Sequence, residues 1–277
     1  MVLDSQQLTN AQGESLTIEQ ALANLRQTED SSLRYYAAWW MGRFRVNLPE
    51  AIDALVDCLA DETDRAPDGG YPLRRNAARA LGKLGETSVV PALIGCLACE
   101  DYYVREAAAQ ALEMLGDSRA VPALKSLLAG GIEAATQVPG KPHLTQPYNA
   151  ILEALGRLAN REAVPDVEPF LHHEVPQVQN AASRAMYQLT GDAAYGDQLV
   201  DRLHSQSLQL RRSALMDLGA IGYLPAAQPI ATALAENSLK LIALQGVLET
   251  HLQDTNFPES GLSAESRQVL ALMDDLL

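Results

Sequence analysis

A run of aromatic residues near the start of the chain is the sequence feature best suited to binding chemistry. Both tryptophans of the protein and two of its nine tyrosines lie within six residues, in the segment LRYYAAWWMGRF (residues 33–44). Aromatic rings pack well on flat conjugated molecules and at protein interfaces, and clusters of them are uncommon on a water-exposed surface. This segment therefore predicts a contact surface for a ligand or a partner.

Tyrosines and arginines recur at the starts of later segments and suggest a second set of contacts. The tyrosines are Tyr71, Tyr102, Tyr103 and Tyr148. Arginine presents a fixed fork of donors that can hold a carboxylate, and Arg75 lies outside the column that other arginines share. Four other arginines occupy one column of a repeated motif, which is more typical of residues that tie neighbouring helices together. These are Arg34, Arg74, Arg105 and Arg211.

No acid, base or nucleophile can be singled out, so the catalytic residue stays unknown at this level. Asp53, Asp101, Glu106 and Glu153 have equal claims to being ordinary surface charges. Cysteines in equivalent places of two repeats, IDALVDCL and VPALIGCL, are expected to be packing residues, and the pair Cys96-Leu-Ala-Cys99 has no basic residue beside it in the sequence. We therefore predict no covalent intermediate on this chain.

Metal-ligand patterns are weak. The single CxxC pair has no second pair, and the five histidines are scattered. A di-iron site of the kind found in some hydroxylases needs several His-Glu pairs, whereas only His173-Glu174 occurs. We expect neither a metal nor a built-in cofactor.

The net charge and the lack of a long apolar run limit the kinds of partner that the chain can bind. The chain has 21 basic and 35 acidic residues and a net charge of −14, which would repel nucleic acid. It contains no apolar run of about 18 residues, and its first 15 residues are polar and acidic, unlike a signal or transit peptide. The sequence favours a cytoplasmic protein without a membrane segment.

A motif repeated seven times sets the fold class. It has an apolar residue at its start, alanine in six of seven copies four positions later, and an aliphatic residue eight positions later, which is one apolar stripe of a helix. Its copies start at Leu33, Leu73, Val104, Pro147, Val178, Leu210 and Leu239. Shorter segments with proline near their starts, such as VVPALIGCL, lie between them and predict a first helix of about 11 residues in each repeat.

Each repeat is then a HEAT-like helix pair that must stack on its neighbours to cover its apolar stripe. We predict an all-α, right-handed α-solenoid of about seven pairs with a concave groove, forming a single domain over residues 1–277. The repeats cover about residues 16–252, a terminal cap helix covers about 263–277, and loops occupy 61–72 and 130–147.

The first repeat departs from its sister copies. At 100° per residue, Leu33, Ala37, Trp40, Met41 and Phe44 fall on the packed stripe, and the other aromatic residues fall on the opposite side together with Arg43. The sister copies carry mainly polar residues there. Tyr35, Tyr36 and Trp39 are therefore expected to face solvent; the alternative is that the tryptophans cover the open end of the stack beneath the N-terminal segment.

The segment LRYYAAWWMGRF, followed by LRRNAARALGKLG (73–85) and VREAAAQALEMLG (104–116), resembles the phycobilisome-lyase branch of HEAT repeats, and YYAAWW resembles the E-type subunits of heterodimeric E/F phycobilin lyases. The resemblance implies an enzyme that, with an F-type subunit, binds phycocyanobilin, a linear tetrapyrrole. It implies attachment of this substrate through a thioether to a cysteine of the phycocyanin α chain in the cyanobacterial cytosol. The binding residues would be drawn from Tyr35, Tyr36, Trp39, Arg43, Tyr71, Arg75, Tyr102, Tyr103 and Tyr148. Among them, Arg43 or Arg75 would meet a propionate of the bilin.

A different class of function stays open from the sequence. The same fold could serve as a non-enzymatic adaptor, or as a phycobilisome-disassembly factor that binds pigment proteins, with the aromatic surface docking a protein instead of a bilin.

Overall fold

The computed structural model describes residues 16–254 and 262–277, and within these ranges the chain is built from α-helices and short 3-10 helices. The α-helices are α1 Ile18–Arg26, α2 Ser31–Arg43, α3 Pro49–Cys58, α4 Pro72–Leu84, α5 Val90–Cys96, α6 Tyr102–Leu115, α7 Val121–Ser126, α8 Gly131–Ala134, α9 Tyr148–Leu158, α10 Val164–Val167, α11 Pro176–Thr190, α12 Ala193–Arg202, α13 Leu208–Ile221, α14 Ala227–Thr232, α15 Asn237–Asp254 and α16 Ala264–Asp274. The polar segment 1–15, on which the reading of the N-terminus rested, lies outside the described residues.

The seven motif copies form seven helices, as predicted: α2, α4, α6, α9, α11, α13 and α15. Helix ends follow the local sequence. Prolines occupy the first turn of α3, α4, α5 and α11, where a missing N–H costs nothing. Gly85 and Gly116 end α4 and α6 in the left-handed conformation that glycine adopts without strain. The all-α repeat class is confirmed.

The alanine column forms the centre of the packing between motif helices. Ala37, Ala77, Ala108, Ala182, Ala214 and Ala243 are all at most 1% exposed. Leu33 differs from the prediction for the apolar stripe: it is 36% exposed. It lies in the first turn of α2, where the side chain has fewer neighbours than residues one and two turns later.

Glycines allow the motif helices to approach closely. A Cβ on Gly82 would lie 2.7 Å from the Cα and 2.8 Å from the Cβ of Ala111, and Gly42 has the same relation to Ala80. Gly156 meets Ala185 in the same way. These glycines follow the motif start by nine positions, a column that the sequence analysis did not use.

The helices between the motif copies are shorter than the predicted 11 residues. α3 and α12 have 10 residues, α5 has 7 and α10 has 4. Several of these helices follow a short 3-10 helix, as in Thr87–Val89 before α5 and Arg161–Ala163 before α10. The difference arises because the segments open with tighter 3-10 turns, which use part of their length.

Both long intervals between motif copies contain the predicted loops. The first follows α3 and leads to α4, with Asp61 accepting hydrogen bonds from the backbone of Thr63 and Asp64. The second contains the four-residue helix α8 and then irregular chain up to α9.

The described chain packs into two compact units. Unit 1 contains residues up to Leu124 together with Val138–Pro147, and unit 2 contains Lys125–Gln137 together with residues from Tyr148 onward. Within unit 1, α4 packs against both α2 and α6; within unit 2, α11 packs against α9 and α13, and α16 packs against α15. The single repeat domain over 1–277 stays a prediction. In the described residues, no helix combines the length and apolar character needed to cross a membrane.

The recurrent arginines bind backbone oxygens near helix ends. Arg74 donates to the carbonyls of Ala60 and Asp61, and Arg105 donates to those of Cys99 and Glu100. The pattern repeats in unit 2, where Arg211 donates to Ser205 and Gln206. Carbonyls at a helix C-terminus lack intrahelical partners, so a guanidinium satisfies several at once. The interpretation of these arginines as structural ties is confirmed.

Candidate functional site

Two aromatic residues of α2, Tyr35 and Trp39, are exposed. Tyr35 is 43% exposed and Trp39 36% exposed, while Tyr36 is half-buried and stacks on Trp39 with ring centroids 5.5 Å apart. Arg43 is exposed two turns after Tyr36 on the same helix, and within the described residues it forms no ion pair. The expected exposure is confirmed for Tyr35, Trp39 and Arg43, whereas Tyr36 is only partly exposed.

Trp40 lies on the packed side of the helix. It is 7% exposed and packs against Phe44, with ring centroids 4.9 Å apart. The two adjacent tryptophans therefore have different environments, because consecutive residues of a helix point about 100° apart. Trp40 serves the core, and Trp39 remains accessible. The N-terminal segment invoked in the capping alternative lies outside the described residues.

A cleft of about 580 Å³ opens in unit 1 between the loop before α4, the N-terminal turn of α6 and the segment Val138–Pro147. Its size is within the range of small-molecule sites. The lining combines rings, cations and glycine backbone, from Arg65, Asp68, Gly69, Gly70, Arg75, Glu100, Asp101, Tyr102, Tyr103, Arg105, Val138, Lys141, Pro142, His143 and Thr145. We call this the unit 1 cleft.

Three aromatic rings stack at one wall of the unit 1 cleft. Tyr102 lies parallel to the imidazole of His143, with ring centroids 4.2 Å apart, and Tyr103 meets both rings edge-on. The Nδ1 of His143 lies 2.9 Å from the carbonyl oxygen of Leu144, so an Nδ1–H tautomer donates to it and leaves Nε2 as an acceptor. Burial raises the pKa of Tyr102 to about 12, so its hydroxyl stays neutral at physiological pH.

An ion pair fixes the neighbouring wall. Nε and Nη2 of Arg75 lie 2.9 and 2.8 Å from Oδ2 of Asp101, and the guanidinium lies 4.5 Å from the centre of the Tyr103 ring. Asp101 also caps α6 by accepting from the backbone N–H of Tyr103, and it accepts from the N–H of Tyr71. Burial alone would raise the pKa of Asp101, but these hydrogen bonds and the charge of Arg75 hold it below its usual value.

Glu106 lies one turn farther along α6 and is half-buried. Burial raises the pKa of its carboxyl group, against the opposing charges of Arg79, Arg75 and His143. Arg79 itself is exposed on α4. The face formed by α2, α4 and α6 thus carries aromatic rings, cations and an acid that holds its proton to a higher pH than an ordinary glutamate.

Two predicted residues lack an accessible ring. Tyr71 is 6% exposed, its ring lies against the guanidinium groups of Arg65 and Arg74, and its hydroxyl donates to Glu100. Tyr148 belongs to unit 2 and is 2% exposed, packed against Phe170. Both tyrosines start or precede a motif helix, where the neighbouring repeat covers them. Neither offers a ring face to a ligand, so Tyr71 and Tyr148 do not fit the predicted role of ring contacts.

The cysteines divide into two environments. Cys58 and Cys96 are buried, and burial raises the pKa of each thiol to about 11, which agrees with a packing role. Cys99 is half-buried, and its sulfur accepts from Nη1 of Arg74 at 3.9 Å. No basic residue lies beside Cys99 in the sequence, but Arg74 of α4 reaches it in the fold.

Sequence reasoning missed the contribution of the second loop. Lys141, His143 and Thr145 belong to segment 130–147, which the sequence marks only as an insertion. The available signal was its length, because long loops inside compact folds are often functional. Within the described residues, no group of three or more His, Cys, Asp or Glu side chains is arranged to hold a metal ion.

Comparisons with known proteins agree with this picture. The family model described as HEAT repeats matches residues 65–135 and 147–219, and the PBS lyase HEAT-like repeat model matches residues 33–61. The chain is 64% identical over 262 residues to the phycocyanobilin lyase subunit alpha of Synechocystis sp., covering 94% of this chain and 96% of that protein. The subunit alpha of Picosynechococcus sp. is 60% identical, with 95% and 97% covered.

A solved structure is also similar to this chain over nearly its whole length. The complex of CpcE and CpcF of phycocyanin lyase from Nostoc sp. PCC7120 contains a chain that is 56% identical to this one and superposes with a TM-score of 0.90, covering 99% of this chain and 100% of that chain. The aromatic helix α2 coincides with the region matched by the lyase-type repeat model. Identity at this level over nearly the whole length establishes kinship, and the chain belongs to the family of phycocyanobilin lyase alpha subunits.

Proposed function

We propose that this chain is the alpha, E-type subunit of a heterodimeric phycocyanobilin lyase. With an F-type subunit it holds phycocyanobilin and attaches it through a thioether bond to a cysteine of the phycocyanin α chain in the cyanobacterial cytosol. The bilin is the substrate and the thiol belongs to the acceptor. This role fits a chain that provides a binding surface and holds Cys58 and Cys96 as buried, protonated thiols.

The observation that carries the proposal is the face of α2, α4 and α6 in unit 1. A linear tetrapyrrole is a long conjugated molecule with two propionates, so its site needs ring surfaces and cations. Tyr35 and Trp39 provide exposed rings at one end of this face, and Tyr102 and Tyr103 provide rings at the unit 1 cleft. Asn76 of α4 donates to the carbonyl of Tyr35 at 3.2 Å, which ties the two helices together.

Two exposed cations belong to the helices of the same face. Arg79 is exposed on α4, and Arg43 is exposed near the end of α2. Neither forms an ion pair within the described residues, so each can bind a propionate. Arg75 is committed to Asp101. We therefore move the predicted propionate contact from Arg75 to Arg43 and Arg79, and we assign to Arg75 the task of fixing the Tyr103 ring.

Coexpression tests the proposal. The chain is produced with an F-type subunit, a bilin source and the phycocyanin α chain, and the acceptor is examined under denaturing conditions for covalently bound, fluorescent bilin. We expect fluorescence that requires both subunits and the acceptor cysteine. An acceptor that stays dark while it still binds this chain would contradict the lyase proposal and support the adaptor alternative.

A matched pair of variants localises the site. Arg79→Gln removes an exposed cation from the proposed face, whereas Arg157→Gln removes an exposed cation from α9 of unit 2. We expect the first to weaken bilin binding about tenfold, which corresponds to the loss of one charge-assisted contact, and the second to leave it unchanged. Equal effects of the two variants would place the propionate contact elsewhere.

A further inference from the structure

The carboxyl group of Glu106 lacks the partners that its neighbours have. Three other acids of unit 1 are paired: Asp61 with Arg34, Glu100 with Arg65, and Asp101 with Arg75. Within the described part of the chain, the Glu106 carboxyl makes neither a hydrogen bond nor an ion pair, although it is half-buried and faces Arg75 and Arg79. A partly buried acid without a partner costs stability, so its presence calls for an explanation.

The position of Glu106 links it to the unit 1 cleft. It follows Tyr103 by three residues and Tyr102 by four, so all three side chains lie on one face of α6. The charged groups that face it are Arg75 and Arg79 from α4 and His143 from the segment 138–147. Arg75 is held by Asp101 and therefore approaches Glu106 without neutralising it.

We propose that Glu106 is the acid that protonates the bound bilin during attachment, an inference that rests on the proposed function. In this addition, the acceptor sulfur bonds to the ethylidene carbon, the S–H bond breaks, and the exocyclic double bond becomes a single bond. One proton leaves the thiol, and one proton reaches the ring carbon at the other end of the former double bond. Atoms and electrons therefore balance without an oxidant or a leaving group.

Glu106 suits this step because burial raises the pKa of its carboxyl group above that of an ordinary glutamate. Protonating the conjugated system makes the ethylidene carbon more electrophilic, and Glu106 lies on the same face of α6 as Tyr102 and Tyr103, which line the cleft. After the step, the carboxylate lies near the guanidinium groups of Arg79 and Arg75, whose positive charges stabilise the ionised form. Burial therefore favours the protonated carboxyl group of Glu106 before the step, and the arginines stabilise its carboxylate afterwards.

Attachment kinetics with the F-type subunit, bilin and acceptor test this role. Wild type should lose rate as the pH rises through the raised pKa of Glu106. Glu106→Gln should lower the rate about 100-fold and remove this limb of the pH profile, with bilin binding retained, because general acids contribute at least this much. Glu106→Asp should restore part of the rate and the pH dependence. Glu50→Gln, an exposed acid on α3, is the control.

The outcomes separate this inference from the proposed function. No attachment by the wild-type pair would contradict the proposed function itself. Active wild type with an equally active Glu106→Gln, or a loss that leaves the shape of the pH profile unchanged and that Glu106→Asp does not rescue, would overturn the assignment of Glu106 alone.

Thermal unfolding of the free protein gives a readout that does not depend on activity. Because the folded-state pKa of Glu106 lies above its unfolded value, the ionised carboxyl costs stability at neutral pH, and the cost disappears below the unfolded pKa. We expect Glu106→Gln to raise the midpoint at pH 7 and to have little effect near pH 4. A lower midpoint at pH 7 would show that Glu106 has a structural partner and would overturn the proposal.

Discussion

At the scale of single residues, the unit 1 cleft depends on Asp101. This buried carboxylate caps α6, accepts from the backbone of Tyr71 and holds Arg75, which in turn lies against the Tyr103 ring. One side chain therefore connects the start of α4, the start of α6 and an aromatic wall of the cleft. Gly70 leaves the necessary space, because a Cβ there would lie 2.1 Å from Nη2 of Arg75.

We predict that Asp101→Asn lowers the free energy of unfolding by about 2 kcal/mol at pH 7, because it leaves the guanidinium without its counter-charge. The folded-state pKa of Asp101 lies below the unfolded value, so its contribution is complete above the unfolded pKa and is lost as the pH falls through the folded pKa. Urea unfolding at pH 7 and pH 3 measures this. Asp117→Asn, at an exposed pair with Arg119, is the control and should cost less. Equal losses at both pH values for Asp101→Asn would contradict the assignment.

The side of a helix on which a residue lies could be predicted from the sequence, whereas the residues that it contacts could not. The outward position of Trp39 follows from its angle on α2, and the structure places it there. The pairing of Arg75 with Asp101, the contact of Arg74 with Cys99 and the burial of Tyr148 each depend on residues 22 or more positions away. A periodic pattern records which side of its own helix a residue occupies, and it does not record what covers that side.

At the scale of elements, close contact between motif helices depends on small residues. The alanine column was visible in the sequence, while the glycine column of Gly42, Gly82 and Gly156 was not used. These glycines lie where one motif helix touches the backbone of the next, so the helix spacing is set by the absence of a side chain. The spacing in turn fixes how far the side chains of α2, α4 and α6 lie apart.

We predict that Gly82→Ala destabilises the protein by about 1–3 kcal/mol, because the new methyl group would meet the Cα and Cβ of Ala111. Gly95→Ala is the matched control on α5, where an added Cβ meets nothing within 4 Å; it should be neutral or stabilise by up to about 1 kcal/mol, since alanine favours the helix. Chemical unfolding of both variants decides the point. A Gly82→Ala protein as stable as Gly95→Ala would mean that the helices can separate freely.

The loop 130–147 could be predicted from the sequence, but its contacts with α6 could not. Its composition and the long interval between motif copies identified it as a loop, and the structure agrees. That His143 stacks on Tyr102 could not be derived, because loop conformation depends on contacts with α6 and with Arg105, which donates to Thr145 and Gln146. The residues that complete the cleft therefore come from the segment with the least periodic sequence.

At the scale of the whole molecule, the repeat fold would act in the proposed lyase function as a scaffold that presents side chains to the bilin. The repeat class, the seven motif helices and the family were predicted from the sequence, and the comparisons confirm the family over nearly the full length. Substrate binding by the face of α2, α4 and α6 stays a prediction. A repeat fold suits this task because successive helices present the same columns side by side, so a long ligand can contact several repeats at once.

Bilin binding by the Trp39→Ala variant, in complex with the F-type subunit, tests this account most directly. Absorbance titration with phycocyanobilin gives the Kd, circular dichroism gives the helix content, and Leu48→Ala, a similarly exposed apolar residue of unit 1, is the control. Losing the ring surface should weaken binding tenfold or more, about 1.4 kcal/mol, with unchanged helicity and a normal control. Unchanged affinity, or unfolding of the Trp39→Ala protein, would contradict the assignment of α2 as a bilin-binding surface.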